Sequence, residues 1–527
     1  MTENNNGFDK ETSTLFSSDP ENGKKPIKKK NSAKKQQVTI ACLALAVIAA
    51  IAVYIFVVSP YLQSGSETEE EVVELLSGEA LGANNTVLLY EKLTKDDIAK
   101  IEVDNEKGGY GFIYSGINKN FSLIGHVNAP YDTTLLSSLT SSVGQMGASE
   151  RLLQDCDDFA EYGLDETGNP ASYTVTTREG AVHTVYIGNK TPSGQGYYAR
   201  YEGRDTVYIV GTGIAKTVFS SLEEMLTPKL ALTMAQNDYF MIKKFTLMRG
   251  EETALQIIYL NEEEQKAAAA ITAYKMLAPA NYSVNSTNYL TALESIMEFK
   301  GKSTLAYKPT DEQLAEYGLD KAAFGIYYTY GGIDQAVEFS EKNENGNYYA
   351  YSSYYDLIAE VDGDQLTWLE WDSVKWVDYP IFMMNINDIK TIKLESDTAS
   401  YTFALDGVDK ELTVVESESG TAPDVSIFRK FYHVLLTIHM QNYVYEDLDR
   451  EAADALVATD DPYLTLTIET RAGQVTEFKF YPYSTRRAYY TVNGEGEFYV
   501  LRDMVTKVIT DAEKLMAGEM IDPEAHS

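Results

Sequence analysis

The phrase "EYGLD" occurs twice in the chain, at Glu161–Asp165 and at Glu316–Asp320. The first copy leads into "ASYTVTTREGAVHTVYIGNKTPSGQGYYARYEGRDTVYIV" and the second into "FGIYYTYGGIDQAVEFSEKNENGNYYAYSS". A third stretch, "DPYLTLTIETRAGQVTEFKFYPYSTRRAYYTVNGEGEFYVL", follows the same plan without the phrase. Each reads as strand, turn, strand, loop, paired tyrosine, further strand and helix. Glu161 precedes Tyr197 by 36 residues and Glu316 precedes Tyr348 by 32. In the third copy the phrase maps onto Ala453–Val457, again 36 residues before Tyr489. Such fixed spacing over three copies identifies a tandem repeat.

The unit extends upstream. Strand pairs precede each copy, in "IAKIEVDNEKGGYGFIYS", "MIKKFTLMRGEETALQIIYL" and "IKTIKLESDTASYTFALDG". Helical periodicity follows each pair, in "TTLLSSLTSSVGQM", "TNYLTALESIMEF" and "VSIFRKFYHVLLTI". The units are placed at 91–234, 235–383 and 384–522, each a normal domain length. Runs of strands closed by helices, without strict alternation, predict α+β units with mainly antiparallel sheets.

In this frame the phrase reads as a helix end. In "DEQLAEYGLD" an amphipathic turn runs into Gly318, which suits a left-handed cap with Leu319 packing back. Gly163 and Leu164 repeat the pattern. The third copy has Ala455 at the glycine position, so its helix must end differently. Capping is preferred to a catalytic reading of Glu161 or Asp165.

The N-terminal region sets the expected compartment. Residues 38–58, "VTIACLALAVIAAIAVYIFVV", are 21 residues without a charge, long enough to span a bilayer as a helix. Seven lysines lie between Lys24 and Lys35, and the acidic "SGSETEEEVVE" follows the run. The positive-inside rule places the tail 1–37 in the cytoplasm and the bulk of the chain outside. The run is longer than a signal-peptide core, so 38–58 is read as an uncleaved signal anchor in contact with membrane lipid. Residues 59–90 are expected to be an acidic linker. The expected architecture is thus one N-terminal transmembrane helix followed by three tandem α+β units.

The formal charge of −35 argues against nucleic acid as a partner. Cys42 and Cys156 do not form a disulfide framework, and five scattered histidines have no metal-ligand spacing. The loop "GNKTPSGQG", Gly188–Gly196, lacks the lysine and following helix of a phosphate loop and reads as a hairpin connection. "EVDGDQLTWLEW" has Gln365 and Trp371 where a calcium loop needs Gly and Glu. No nucleophile motif is found, and the chain is not expected to be an enzyme or to carry a cofactor.

Aromatic residues supply the candidate contact surface. Trp368, Trp371 and Trp376 fall within nine residues on the closing helix expected for the second unit, with Trp368 and Trp371 on one face. The plainer reading is packing; the functional one is an exposed platform for a glycan or a partner. Neighbouring residues of a strand point to opposite faces, so at most one tyrosine of each pair is expected in a core. Tyr197, Tyr348 and Tyr489 join Trp368 and Trp371 as candidate surface residues.

The words "AEYGLD", "VYIGNKTPSGQGYYAR" and "DTVYIV" resemble a known family, domain of unknown function 4340. The first copy carries the resemblance best, while the second loses the Gly-Thr-Pro loop. The resemblance implies a bacterial, membrane-anchored, extracytoplasmic protein that accompanies ABC-type transport systems similar to gliding-motility transporters. The functional expectation is a non-catalytic accessory or assembly protein beside such a transporter. The alternative is a cell-envelope or glycan-binding surface protein.

Overall fold

The computed structural model describes residues 73–524 apart from 117, 118, 127 and 236. The expected tail 1–37 and anchor 38–58 lie outside the described residues. Among the described residues no helix is long and apolar enough to cross a membrane.

One topology is built three times. The first unit contains β1 (Ala80–Leu81), β2 (Val87–Leu88), β3 (Ile98–Asp104), β4 (Tyr110–Ser115), β5 (Asn120–Leu123), β6 (Gly147–Leu153), β7 (Ala171–Thr177), β8 (Val182–Lys190), β9 (Gly196–Tyr201) and β10 (Val207–Gly211). The second contains β11 (Lys244–Arg249), β12 (Glu252–Tyr259), β13 (Tyr274–Ala278), β14 (Thr304–Tyr307), β15 (Phe324–Tyr330), β16 (Ile333–Phe339), β17 (Tyr348–Ser352) and β18 (Leu357–Val361). The third contains β19 (Ile389–Glu395), β20 (Ser400–Asp406), β21 (Thr413–Glu416), β22 (Met440–Tyr443), β23 (Leu464–Thr470), β24 (Val475–Pro482), β25 (Arg487–Val492) and β26 (Phe498–Leu501).

The sheet orders are β5-β4-β3-β7-β8-β9-β10-β6, β13-β12-β11-β15-β16-β17-β18-β14 and β21-β20-β19-β23-β24-β25-β26-β22. The three orders are the same, and every ladder is antiparallel. The first sheet alone continues past β6 into β2 and β1. Residues 80–90, read from sequence as linker, therefore belong to the first sheet. Leu89 and Tyr90 are buried there, and the Tyr90 hydroxyl lies 2.8 Å from that of Tyr173.

The α-helices of six residues or more are α1 (Thr133–Gly144), α2 (Glu262–Ala267), α3 (Ser286–Ser295), α4 (Asp311–Glu316), α5 (Val425–Leu436), α6 (Arg450–Ala458) and α7 (Arg502–Ala517). The upstream strand pairs and the three helices α1, α3 and α5 follow the sequence periodicity. Each starts at an Asp or Asn whose side chain accepts from the first free backbone N–H groups: Asp132, Asn285 and Asp424. Two strands per unit escaped the sequence reading. One is the short third strand (β5, β13, β21). The other, after the helix (β6, β14, β22), pairs with the last strand at the far side of the sheet. The helix between them therefore carries the chain across the sheet. It buries its apolar stripe on the way, as Leu136, Leu139 and Val143 do in α1.

The first sheet has its own core, around Phe112, Phe121, Tyr173 and Leu139. The second and third sheets share one continuous core, which includes Phe245, Trp368, Phe382, Phe431 and Tyr490. Each sheet also carries a small cluster on its opposite face: Cys156, Leu164 and Val207 in the first, Ala306, Leu319 and Ile358 in the second, Val444, Ala453, Tyr481 and Tyr489 in the third.

Candidate functional site

The two copies of the phrase adopt the same turn. Gly163 and Gly318 lie at φ +65° and +69°, a region glycine enters without steric cost. In the first copy the Gly163 N–H donates to the Ala160 carbonyl at 3.0 Å and the Leu164 N–H to the Phe159 carbonyl at 3.1 Å. In the second, Gly318 N–H reaches Ala315 at 3.1 Å and Leu319 N–H reaches Leu314 at 2.8 Å. This paired pattern caps the helix end, and the following leucine folds back onto it. In the third copy α6 runs through Ala455, and the left-handed residue is Asp460, at φ +49°.

The turn lies on the outer face of its sheet, where its tyrosine meets one tyrosine of the pair. Tyr162 packs edge-on against Tyr198 at 5.0 Å between ring centroids, and Tyr317 against Tyr349 at 4.9 Å. The partner tyrosines Tyr197 and Tyr348 face the main cores. In the third unit the faces are exchanged: Tyr489 lies in the outer cluster and Tyr490 in the core. The third pair is thus offset by one position, and a one-residue offset changes a side chain's face.

Several sequence expectations are corrected here. Tyr348 and Tyr489 are buried, and Tyr197 is half-buried against the first core. Tyr489 and Tyr490 are both buried, because the outer cluster covers the second face as well. Trp368 is only 2% exposed, and its indole N–H donates to Ser295 Oγ at 2.8 Å. Trp376 is buried and Trp371 half-buried against the same core. Trp368 and Trp376 sit on two short helical turns, Gly363–Glu370 and Ser373–Trp376, with Trp371 in the extended break between them, instead of on one helix. No exposed tryptophan platform exists, because the break between those turns folds the indoles inward.

What the two turns differ in is their cover. In the first unit Asp165 accepts from Thr167 Oγ1 at 2.6 Å and from the Gly168 N–H at 2.9 Å. These bonds, Thr167's first, hold the Asp165 carboxyl below its usual range. They bend the loop so that Gly168 lies directly on Gly163; a Cβ at Gly168 would come within 2.7 Å of it. Gly188 closes in from β8, where a Cβ would stand 2.4 Å from the Tyr162 carbonyl oxygen. The glycines of this loop therefore serve close packing on the turn.

The second unit has a shorter connection, from Gly318 to Phe324, and Ser340 where Gly188 stands. Asp320 has no hydrogen-bond partner among the described residues. The turn stays uncovered and lines an open recess of about 1140 Å³. Its walls carry Tyr317, Phe324, Tyr327 and Tyr349. Five carboxylates border it, Glu251, Glu316, Asp320, Glu338 and Glu341, against Arg249 and Lys321. Arg249 is committed to the backbone, donating through Nε to the Leu369 carbonyl at 3.1 Å and through its terminal nitrogen to the Trp371 carbonyl. Tyr327 donates to Glu338 at 2.9 Å, and burial together with that carboxylate pushes its phenol up to about 12. Burial likewise raises Tyr317, so both rings stay neutral hydrogen-bonding surfaces. The repeat of the phrase was legible in sequence; the recess was not, since it depends on loop length and on Ser340.

Among the described residues no group of three or more His, Cys, Asp or Glu side chains is arranged to hold a metal ion. No curated protein and no solved structure matches the chain. From β5 of the first unit to the uncovered turn of the second, residues 122–322 are similar to the domain of unknown function family DUF4340.

Proposed function

We propose that the chain is a membrane-anchored, extracytoplasmic accessory or assembly protein, and that the recess of the second unit is where it receives a partner. The observation that carries this is the contrast between the two turns: the same phrase is sealed in the first unit and left open in the second. An uncovered concave surface lined by aromatic rings, beside a closed twin, is what a binding surface requires. The anchor follows from the uncharged run 38–58 and its lysine flank. Association with an ABC-type transport system comes from the family resemblance. The glycan alternative rested on an exposed tryptophan surface and loses that support with Trp368 and Trp376 in the core.

The test is purification of the full chain from its membranes in mild detergent, with mass spectrometry of what accompanies it. The comparison is a Glu251→Lys/Glu341→Lys double variant, which reverses charge at two exposed recess positions. A polytopic permease and an ATPase in stable ratio, lost in the variant, support the reading. A solitary wild-type protein, or a complex indifferent to the variant, refutes it.

A further inference from the structure

We propose that the seam between the second and third units contains a binding site for a phosphate group, centred on Lys275. The inference is independent of the recess. Lys275 lies on β13, the edge strand of the second sheet, and lines a crevice of about 80 Å³. That is the space of roughly two to three water molecules, enough for one small oxyanion.

Four features converge there. First, the Lys275 ammonium makes no hydrogen bond, ion pair or ring contact among the described residues, although the chain carries −35 overall. Second, no carboxylate lines the crevice. Third, Asn281 and Ser283 from the second unit and Gln474 and Thr476 from the third line it with side chains that have no protein hydrogen-bond partner. Fourth, partial burial lowers the Lys275 pKa with no carboxylate to offset it. A desolvated cation among unsatisfied donors is costly until an anion completes it. Donors on several side chains suit a phosphate group, which accepts hydrogen bonds through several oxygens.

The walls are already held in place. The Asn385 N–H donates to the Ala269 carbonyl at 2.6 Å, and Thr470 Oγ1 to the Ala267 carbonyl at 2.8 Å. The phosphate would tie the two units through Lys275 on one side and Thr476 on the other.

Calorimetric titration of the full chain at constant ionic strength tests this, with inorganic phosphate and glycerol phosphate as probes. Saturable one-site binding is expected, weakened about tenfold in Lys275→Gln, the loss of one charge-assisted hydrogen bond. Lys275→Arg should retain binding. Thr476→Val is the second variant, should Lys275→Gln not fold, and is also expected to weaken binding. Binding of both probes assigns the site to free phosphate, and binding of the ester alone to an esterified headgroup or polymer. Absence of saturable binding by both probes overturns the proposal, as does affinity unchanged in Lys275→Gln and Thr476→Val.

Discussion

Replacing the glycine of each phrase by alanine should have unequal effects, although the local sequence is the same. Both glycines are left-handed, and that conformation costs an L-residue about 1–2 kcal/mol. Alanine's smaller unfolded-state entropy returns about 0.4–1 kcal/mol. At Gly318 nothing further is added, since the nearest atom to a new Cβ is Ser340 Cβ at 3.7 Å. The net cost of Gly318→Ala is therefore about 1 kcal/mol. At Gly163 the new Cβ would meet the Asn189 amide group at 2.7–2.8 Å. Turning that side chain off its rotamer adds about 0.5–1.5 kcal/mol, for a total near 2 kcal/mol. Native-state hydrogen exchange, read peptide by peptide, separates the two turns within one chain. Exchange at Leu319 should quicken about 5-fold in Gly318→Ala and at Leu164 about 30-fold in Gly163→Ala. Gly318→Asn should be milder than alanine, since Asn tolerates the left-handed region. Equal effects at the two sites, or a larger one at Gly318, would refute the argument from cover.

Other consequences can be measured directly. Trp368→Ala removes a buried indole and should cost about 3–5 kcal/mol in denaturant unfolding; an exposed platform residue would leave stability unchanged. Burial opposes ionisation of Glu416, yet N–H groups of Ser419, Glu418 and Thr402 and the Ser419 hydroxyl hold its pKa down to about 2. A lowered pKa contributes stability above the unfolded value near 4.5 that is lost as pH falls toward 2. Protection of the β20–β21 region should fall across that window, and Glu416→Gln should flatten the dependence. Asp511 is buried in α7 between Lys507 and Lys514, each at 2.7 Å. Asp511→Ala should cost about 1.5–3 kcal/mol in the same unfolding experiment.

Much of the repeat could be read from the chain because its words mark backbone geometry. A glycine that must be left-handed is visible in sequence, and so is an amphipathic helix behind an Asp or Asn. The second coverage of each sheet was hidden, because the outer clusters assemble from residues far apart, such as Leu319 and Ile358. The tyrosine pairs misled for the same reason: a pair fixes two faces but not which residue takes which. Strands β6, β14 and β22 escaped because the last strand of the unit, with which each pairs, lies far along the chain. Recess and crevice depend on loop length and on which side chains lack partners, properties of the assembled molecule.

The continuous core of the second and third units constrains the order in which the chain can mature. The first unit can complete its buried core from residues 89–226, with only the half-buried Tyr307 of the second unit packing against it from outside. The second cannot. Phe382 awaits Phe478 at 6.0 Å, and Tyr282 awaits Phe498 at 5.0 Å. The Ile381 N–H awaits the Ile438 carbonyl. A chain emerging N-terminus first would settle its first unit early. It would hold the apolar side of the second open until the 139 residues of 384–522 had followed. That interval is when a chaperone would be needed, and a chain interrupted near residue 383 would display an unmatched half-core to its neighbours.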